Sequence, residues 1–338
     1  MNKIIMKNRY VLLCGILLAI ILIIFGGVIV HQKMAAATQR MLIVGDSIGI
    51  GTGVSDLKLK WYKFLPSFME EKYDVKLDIT NVSMGGNTSF AGYSRIMDLE
   101  ENYFDYVVIC YGQNDSLDDF SLYYESILRA VYWRYPESRI ITILESSQRE
   151  YTEKMKIIQE LSRHYNAQVV DTIAAFNNSG MLYEELTDDG THPNDKGQQL
   201  YYEAVRDVLT QICSDEEVSD VKEILPVNME VEEFRNYEFY AVEEFRKASE
   251  TELELELAET TAMLGISYAP IMGENQIKLY ADDLLILDKE FDWEYSFIQD
   301  YIELADKQKV KFSKLRIAFG SEEQREKFQG VILMGFTE

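Results

Sequence analysis

Over residues 39–214, short continuous apolar runs alternate with longer mixed stretches; beyond residue 250 the pattern changes to strict two-residue alternation. The runs at residues 41–44, 75–81, 106–111, 139–144 and 168–171 have strand length, and Val107-Val108-Ile109-Cys110 and Ile140-Ile141-Thr142-Ile143 lack polar alternation. Continuous apolar strands fit a parallel sheet covered on both faces, and the intervening segments are long enough for crossover helices. The pattern predicts a five-stranded, three-layer α/β domain. An acidic stretch from Ser214 to Asp220 follows the last helix, predicted over residues 196–212, and reads as a linker over residues 215–225. Glu252-Leu253-Glu254-Leu255-Glu256-Leu257 would scatter its leucines around a helix, so it is read as a strand although Glu and Leu favour helices. Residues 277–280 and 284–287 flank Ala281-Asp282-Asp283 as a hairpin, and residues 314–319 and 330–336 add strands. Residues 226–338 are therefore expected to form an antiparallel β-sandwich.

At the other end, residues 10–30 carry no charge, enough at ~1.5 Å per residue to cross a hydrocarbon core of ~30 Å. Residues 1–38 are expected to form a short cytoplasmic tip, a signal-anchor helix and a stalk. Lys3, Lys7 and Arg9 before the run, against Lys33 and Arg40 after it, place the rest of the chain outside the cell membrane. Ala35-Ala36-Ala37 leaves open the alternative of a cleaved signal peptide and a secreted protein.

With 33 basic and 57 acidic residues, a formal charge of -24, the chain is a poor partner for nucleic acid or an anionic lipid surface. The imbalance favours a neutral or cationic substrate and keeps an external domain soluble. Cys14 falls in the membrane run, Cys110 in a strand of buried type and Cys213 at a helix end, so three unpaired thiols are expected. That suits a Gram-positive-type surface. The sequence has no metal-ligand cluster, phosphate loop or dinucleotide fingerprint, and the expected chemistry needs no cofactor.

The chemistry-bearing residues sit at the ends of the predicted strands. Val44-Gly45-Asp46-Ser47-Ile48-Gly49 follows the first strand and offers a serine nucleophile, which at neutral pH needs an imidazole base and a carboxylate to orient it. Of three histidines, His31 borders the apolar N-terminal run and His164 lies late in a helical pattern, where it reads as a surface residue. His192 is the candidate base: Asp189 precedes it by three residues, and Pro193 follows it as at a helix start. Two further segments, Asn81-Val82-Ser83-Met84-Gly85-Gly86-Asn87-Thr88 and Tyr111-Gly112-Gln113-Asn114-Asp115, read as oxyanion-hole loops. The amides of Ser47 and Gly86 and the side chain of Asn114 supply three candidate donors, each worth roughly 2.7–4 kcal/mol.

Gly45-Asp46-Ser47, Gly86, Gly112-Gln113-Asn114-Asp115 and Asp189-Gly190-Thr191-His192 resemble, in the expected order, the four blocks of the SGNH (GDSL) hydrolase family. The resemblance covers roughly residues 39–214 and implies a flavodoxin-like α/β fold. It also implies Ser47 as nucleophile, His192 as base, Asp189 as its orienter, and Ser47, Gly86 and Asn114 as the oxyanion hole. Ser83 stands where many members carry glycine, and Gly85 is an alternative to Gly86. Gly45-x-Ser47-x-Gly49 also fits the nucleophile elbow of α/β-hydrolases, the structural runner-up, which usually spreads acid and base over separate loops. The expected activity is serine ester hydrolysis, with short acyl groups on glycans as substrate. A lipase or thioesterase acting on longer chains, an O-acyltransferase, and an idle glycan-binding module are the alternatives. The C-terminal domain, which has neither histidine nor cysteine, would bind polysaccharide through Tyr268, Trp293 and Tyr295 or pack against the hydrolase and shape its cleft.

Overall fold

The computed structural model describes residues 37–101, 103–214, 224–295 and 299–337. The segment read as a membrane anchor, His31 and Cys14, as well as most of the predicted linker, lie outside the described residues. Among the described residues no helix is long and apolar enough to cross a membrane.

The first domain opens with β1 (Ala37–Gly45), the one-turn helix α1 (Ser47–Ile50), α2 (Leu65–Tyr73), β2 (Val75–Asn81) and α3 (Ser89–Asp98). It continues through β3 (Tyr106–Cys110), α4 (Phe120–Arg134), β4 (Arg139–Ile143), α5 (Glu153–His164), β5 (Gln168–Val170), α6 (Thr172–Asn178) and α7 (Asp195–Ser214). The five strands are parallel, in the order β2-β1-β3-β4-β5, the flavodoxin-like arrangement. Each predicted run is a strand, with edges within a few residues of the expected ones. Met41, Ile43, Val108 and Ile141 pack under α2, α6 and α7, whereas Leu42, Val44, Val107 and Ile109 pack under α3, α4 and α5. Burial on both faces is why these strands carry no polar alternation.

The second domain contains β6 (Tyr237–Ala241), β7 (Arg246–Lys247), β8 (Glu252–Tyr268), β9 (Gly273–Ala281), β10 (Leu284–Trp293), β11 (Tyr301–Leu304), β12 (Val310–Phe319), α8 (Glu322–Glu326) and β13 (Phe328–Thr337). The antiparallel β domain expected here is present, but its strands join in one eight-stranded sheet, an open half-barrel, instead of two separately bonded sheets. The long β8 is the reason. One of its edges pairs with β12 and then β11, and the other with β7 and then β13. Its buried positions change parity from Leu253 and Leu255 to Ala262, Leu264 and Ile266, across a register shift opposite Phe312 and Lys314. Such an irregularity bends a strand without ending it. The hairpin turn at Asp282-Asp283 stands as expected, with Asp282 at φ 50°.

The two domains share a core. Met263, Ile332 and Met334 of the β domain pack with Phe90 and Tyr93 of α3 and with Phe234, and Gly265 lets β8 approach the Phe90 ring. The buried Glu125 of α4 accepts from the amides of Val227 and Asn228, the Asn228 side chain and the Tyr165 hydroxyl, fixing the entry to the second domain. His164, read as a surface residue, ends α5, and its Nε2 lies 2.7 Å from the Leu225 carbonyl oxygen. Cys110 is buried and Cys213 half-buried, both free thiols.

Candidate active site

Ser47 opens α1 at the carboxyl end of the strand that pairs with both β2 and β3. Asp46 caps this turn: its Oδ1 accepts the Ile48 amide at 2.9 Å, while its own amide donates to the Cys110 carbonyl at 3.1 Å. These bonds fix the turn that presents the Ser47 hydroxyl.

His192 reaches Ser47 from a loop just before α7. Its Nε2 lies 2.9 Å from Ser47 Oγ, and its Nδ1 lies 2.6 Å from Asp189 Oδ2. An ionised carboxylate only accepts, so Nδ1 carries the proton and Nε2 is left to accept from the serine. The other Asp189 oxygen accepts the Thr191 and His192 amides at 2.9 and 2.8 Å, which sets the three-residue spacing. Partial burial pushes the Asp189 carboxyl up, but hydrogen bonds from the His192 ring and the two amides prevail and hold it at about 2. The buried Gln198 ties this loop to the segment after Ser47, donating to the Thr52 and Pro193 carbonyls and accepting the Trp61 amide.

Facing this chain of groups are the two other loops. Gly86 sits at φ +73°, and among the described residues neither its amide nor that of Ser47 donates to a backbone carbonyl. Asn114 Nδ2 donates to the Asn87 carbonyl at 3.0 Å and has a longer 3.4 Å contact to Asp46 Oδ2, beside the serine. Gly112 has to be glycine: φ is +140°, and a Cβ there would lie 2.0 Å from the Glu145 carbonyl oxygen. The Lys154 ammonium donates to the Gly112 and Asp115 carbonyls, and Asp115 Oδ1 accepts the Ser89 amide at 2.8 Å, capping α3 from the neighbouring loop.

The structure thus brings together Ser47, His192 and Asp189 in one hydrogen-bonded chain, with Gly86 and Asn114 on adjoining loops. The arrangement can take a proton from a hydroxyl and stabilise charge developing on a neighbouring oxygen. Sequence reasoning gave no part to Asp46, Asn87 or Glu145. The first two lie inside the recognised segments; Glu145 follows β4 with no motif around it.

Asp46 and Glu145 are both fully buried behind the serine. Burial pushes Asp46 up to about 7 against the Ile48 amide, and burial together with the charge of Asp46 pushes Glu145 well up. Glu145 accepts from Gln148 and from the Tyr201 hydroxyl. Because both carboxyls bind protons more tightly folded than unfolded, their stabilising effect is complete below about pH 4 and is lost as pH rises through neutrality. Thermal melting at pH 6 and pH 9 should show a lower Tm at pH 9, and Glu145→Gln should shrink that drop by roughly 3–5 °C. A Tm independent of pH over this range in the wild type would contradict the burial argument.

Residues 43–200 match the GDSL-like Lipase/Acylhydrolase family. The chain is 27% identical over 174 residues to thioesterase 1/protease 1/lysophospholipase L1 of Escherichia coli K12, covering 48% of this chain and 80% of that protein. Among solved structures it is similar to a two-domain esterase active on acetylated mannans, co-crystallised with mannopentaose: TM-score 0.67, 17% identity, 90% of this chain and 93% of that one. At that identity the likeness shows a shared two-domain fold.

Proposed function

We propose that this serine esterase, in which residues 43–200 form a GDSL/SGNH hydrolase domain, removes acetyl and other short acyl groups from glycans. Ser47 Oγ attacks the acyl carbonyl while His192 Nε2 takes its proton. The oxyanion is held by the Ser47 and Gly86 amides and Asn114 Nδ2. His192 returns the proton to the departing sugar oxygen, and water, deprotonated by the same ring, then releases the acid from the acyl-enzyme as that proton passes back to Ser47 Oγ. Asp189 keeps the ring in the tautomer that each step needs.

The observation that carries the glycan reading is the place of the aromatic side chains of the β domain. A Cβ on Gly86 would lie 2.6 Å from the Tyr301 hydroxyl oxygen, so this ring stands directly beside the proposed oxyanion loop. Trp293 packs edge-on against Tyr301 and Tyr295 with centroids 5.7 and 4.8 Å apart, and Tyr295 is 55% exposed. Aromatic side chains beside the proposed oxyanion loop suit the apolar face of a sugar ring. The same architecture in an esterase active on acetylated mannans supports this reading. The relationship to a thioesterase and lysophospholipase gives longer acyl chains as the second reading. Residues 10–30 are read as an uncleaved anchor that holds the enzyme outside the cell membrane, with a secreted form as the alternative.

The test is release of acids by the full chain in detergent from acetylated mannan, acetylated xylan and aryl esters of two to twelve carbons. Acetate release from a glycan that requires Ser47 is the expected result. Release of only longer acids would replace the proposal with a lipase or thioesterase. Transfer to a glycan acceptor in preference to water would make the protein an acyltransferase, and glycan binding with no reaction toward a fluorophosphonate would leave an idle module.

A further inference from the structure

The segment that carries Gly85 and Gly86 is bonded, through one side chain, to a strand more than 200 residues away. Asn87 is 1% exposed. Its Nδ2 donates to the Gly85 carbonyl at 3.1 Å and to the Asp300 carbonyl at 2.8 Å, and its Oδ1 accepts the Ile302 amide at 3.0 Å. The side chain therefore acts as a strand would, exchanging donor and acceptor with the edge of β11. Its own carbonyl is the acceptor for Asn114 Nδ2. Around this contact Gln299 lies against Gly85, and both Gln299 and the Tyr301 hydroxyl lie against Gly86.

We infer that Asn87 is a positioning residue through which the β domain sets the shape of the oxyanion hole. The inference rests on the reading of Gly86 and Asn114 as oxyanion donors. Oxyanion donors are effective only when their geometry is fixed before charge develops, since a donor that must reorient gives back what it gains. Gly85 and Gly86 are the least self-constrained residues of the loop, and Asn114 needs one amide hydrogen anchored on the Asn87 carbonyl so that the other, which makes only the long 3.4 Å contact to Asp46 Oδ2, can turn to the substrate. Asn87 meets both needs, and its side chain is held by backbone groups of the β domain as well as by Gly85. Burial adds to this: without its partners a carboxamide in that position would be left unsatisfied, so the bonded arrangement is strongly preferred. The β domain is thus part of the hydrolytic machinery even though the proposed nucleophile, base and orienting carboxylate all lie in the first domain.

The experiment measures kcat and KM on an aryl acetate for the full chain, with competent serines counted by end-point fluorophosphonate titration. The proteins are wild type, Asn114→Ala, Asn87→Ala, Asn87→Asp and Ile302→Pro. Asn87→Asp keeps the acceptor for Ile302 and loses both donations. Ile302→Pro removes from the β11 side a single amide that faces Asn87, at an edge where proline is tolerated. Expected is a fall in kcat per titrated serine of about 10²-fold for Asn87→Ala and about 10-fold for the other two latch variants, with KM nearly unchanged, by comparison with the loss of one oxyanion donor. A purely structural role would lower Tm and the titrated fraction while leaving kcat per site intact, and that result would overturn the inference. If Asn114→Ala is impaired and the latch variants are not, the inference fails and the oxyanion reading stands. If Asn114→Ala is unimpaired, both fail.

Discussion

Ser47→Ala should abolish turnover, with kcat falling by about 10⁴- to 10⁶-fold on any ester the wild type hydrolyses. Among the described residues the serine hydroxyl is the group aligned on His192 Nε2, at 2.9 Å, and no other nucleophile there inherits the proton path. The fold should survive. The His192 side chain is 25% exposed, so water replaces the lost hydroxyl and no buried polar atom is orphaned. Steady-state acid release, with circular dichroism and melting on the same samples, checks both halves of the expectation. Activity within tenfold of wild type would remove Ser47 from the mechanism.

Asn114→Ala is expected to cost about 10² to 10³ in kcat and little in KM, because in the proposed mechanism its amide is needed once the carbonyl oxygen has become an anion. The substitution also leaves the Asn87 carbonyl without a donor, worth ~1–3 kcal/mol if water cannot enter. A modest fall in Tm should therefore accompany the kinetic loss. Asn114→Asp should be at least as inactive although it is closer in shape. A carboxylate there would face the oxyanion and would also stand beside Asp46, whose pKa burial has already driven up. Measuring kcat and KM for both variants separates loss of a donor from loss of fold; a KM effect alone would place Asn114 in ground-state binding.

Much of the first domain was legible because its signals are local. Residues 107–110 and 140–143 are apolar without alternation, which is what burial on both faces of a parallel sheet demands, and both are strands at full burial or close to it. The pairing of Asp189 with His192 was legible for a similar reason. Asp189 and His192 lie three residues apart, and the carboxylate accepts the backbone amides of the same short loop, so their pairing needs no long-range contact. The alternating stretch at 252–257 was readable as a strand from its period, against the helix propensity of Glu and Leu. Its length was not, because the change of parity within β8 comes from a register shift opposite β12, a feature of pairing that leaves no mark on β8 alone.

The sequence by itself determined which residues are available for chemistry and at which strand ends they sit, because strand, turn and cap preferences act over a few neighbouring residues. Tertiary structure alone decided how they are held. The 145-residue gap between Ser47 and His192 closes only when β1 and the loop before α7 meet across the sheet. The raised pKa of Asp46 and Glu145 exists because folding removes both from water, and unpaired carboxyls in sequence give no hint of that. The bonds from Asn87 to Asp300 and Ile302 depend on where one domain lies against the other. Hydrogen bonds and desolvation respond to distance in space, and two segments more than 200 residues apart acquire that distance only from the packing of their two domains.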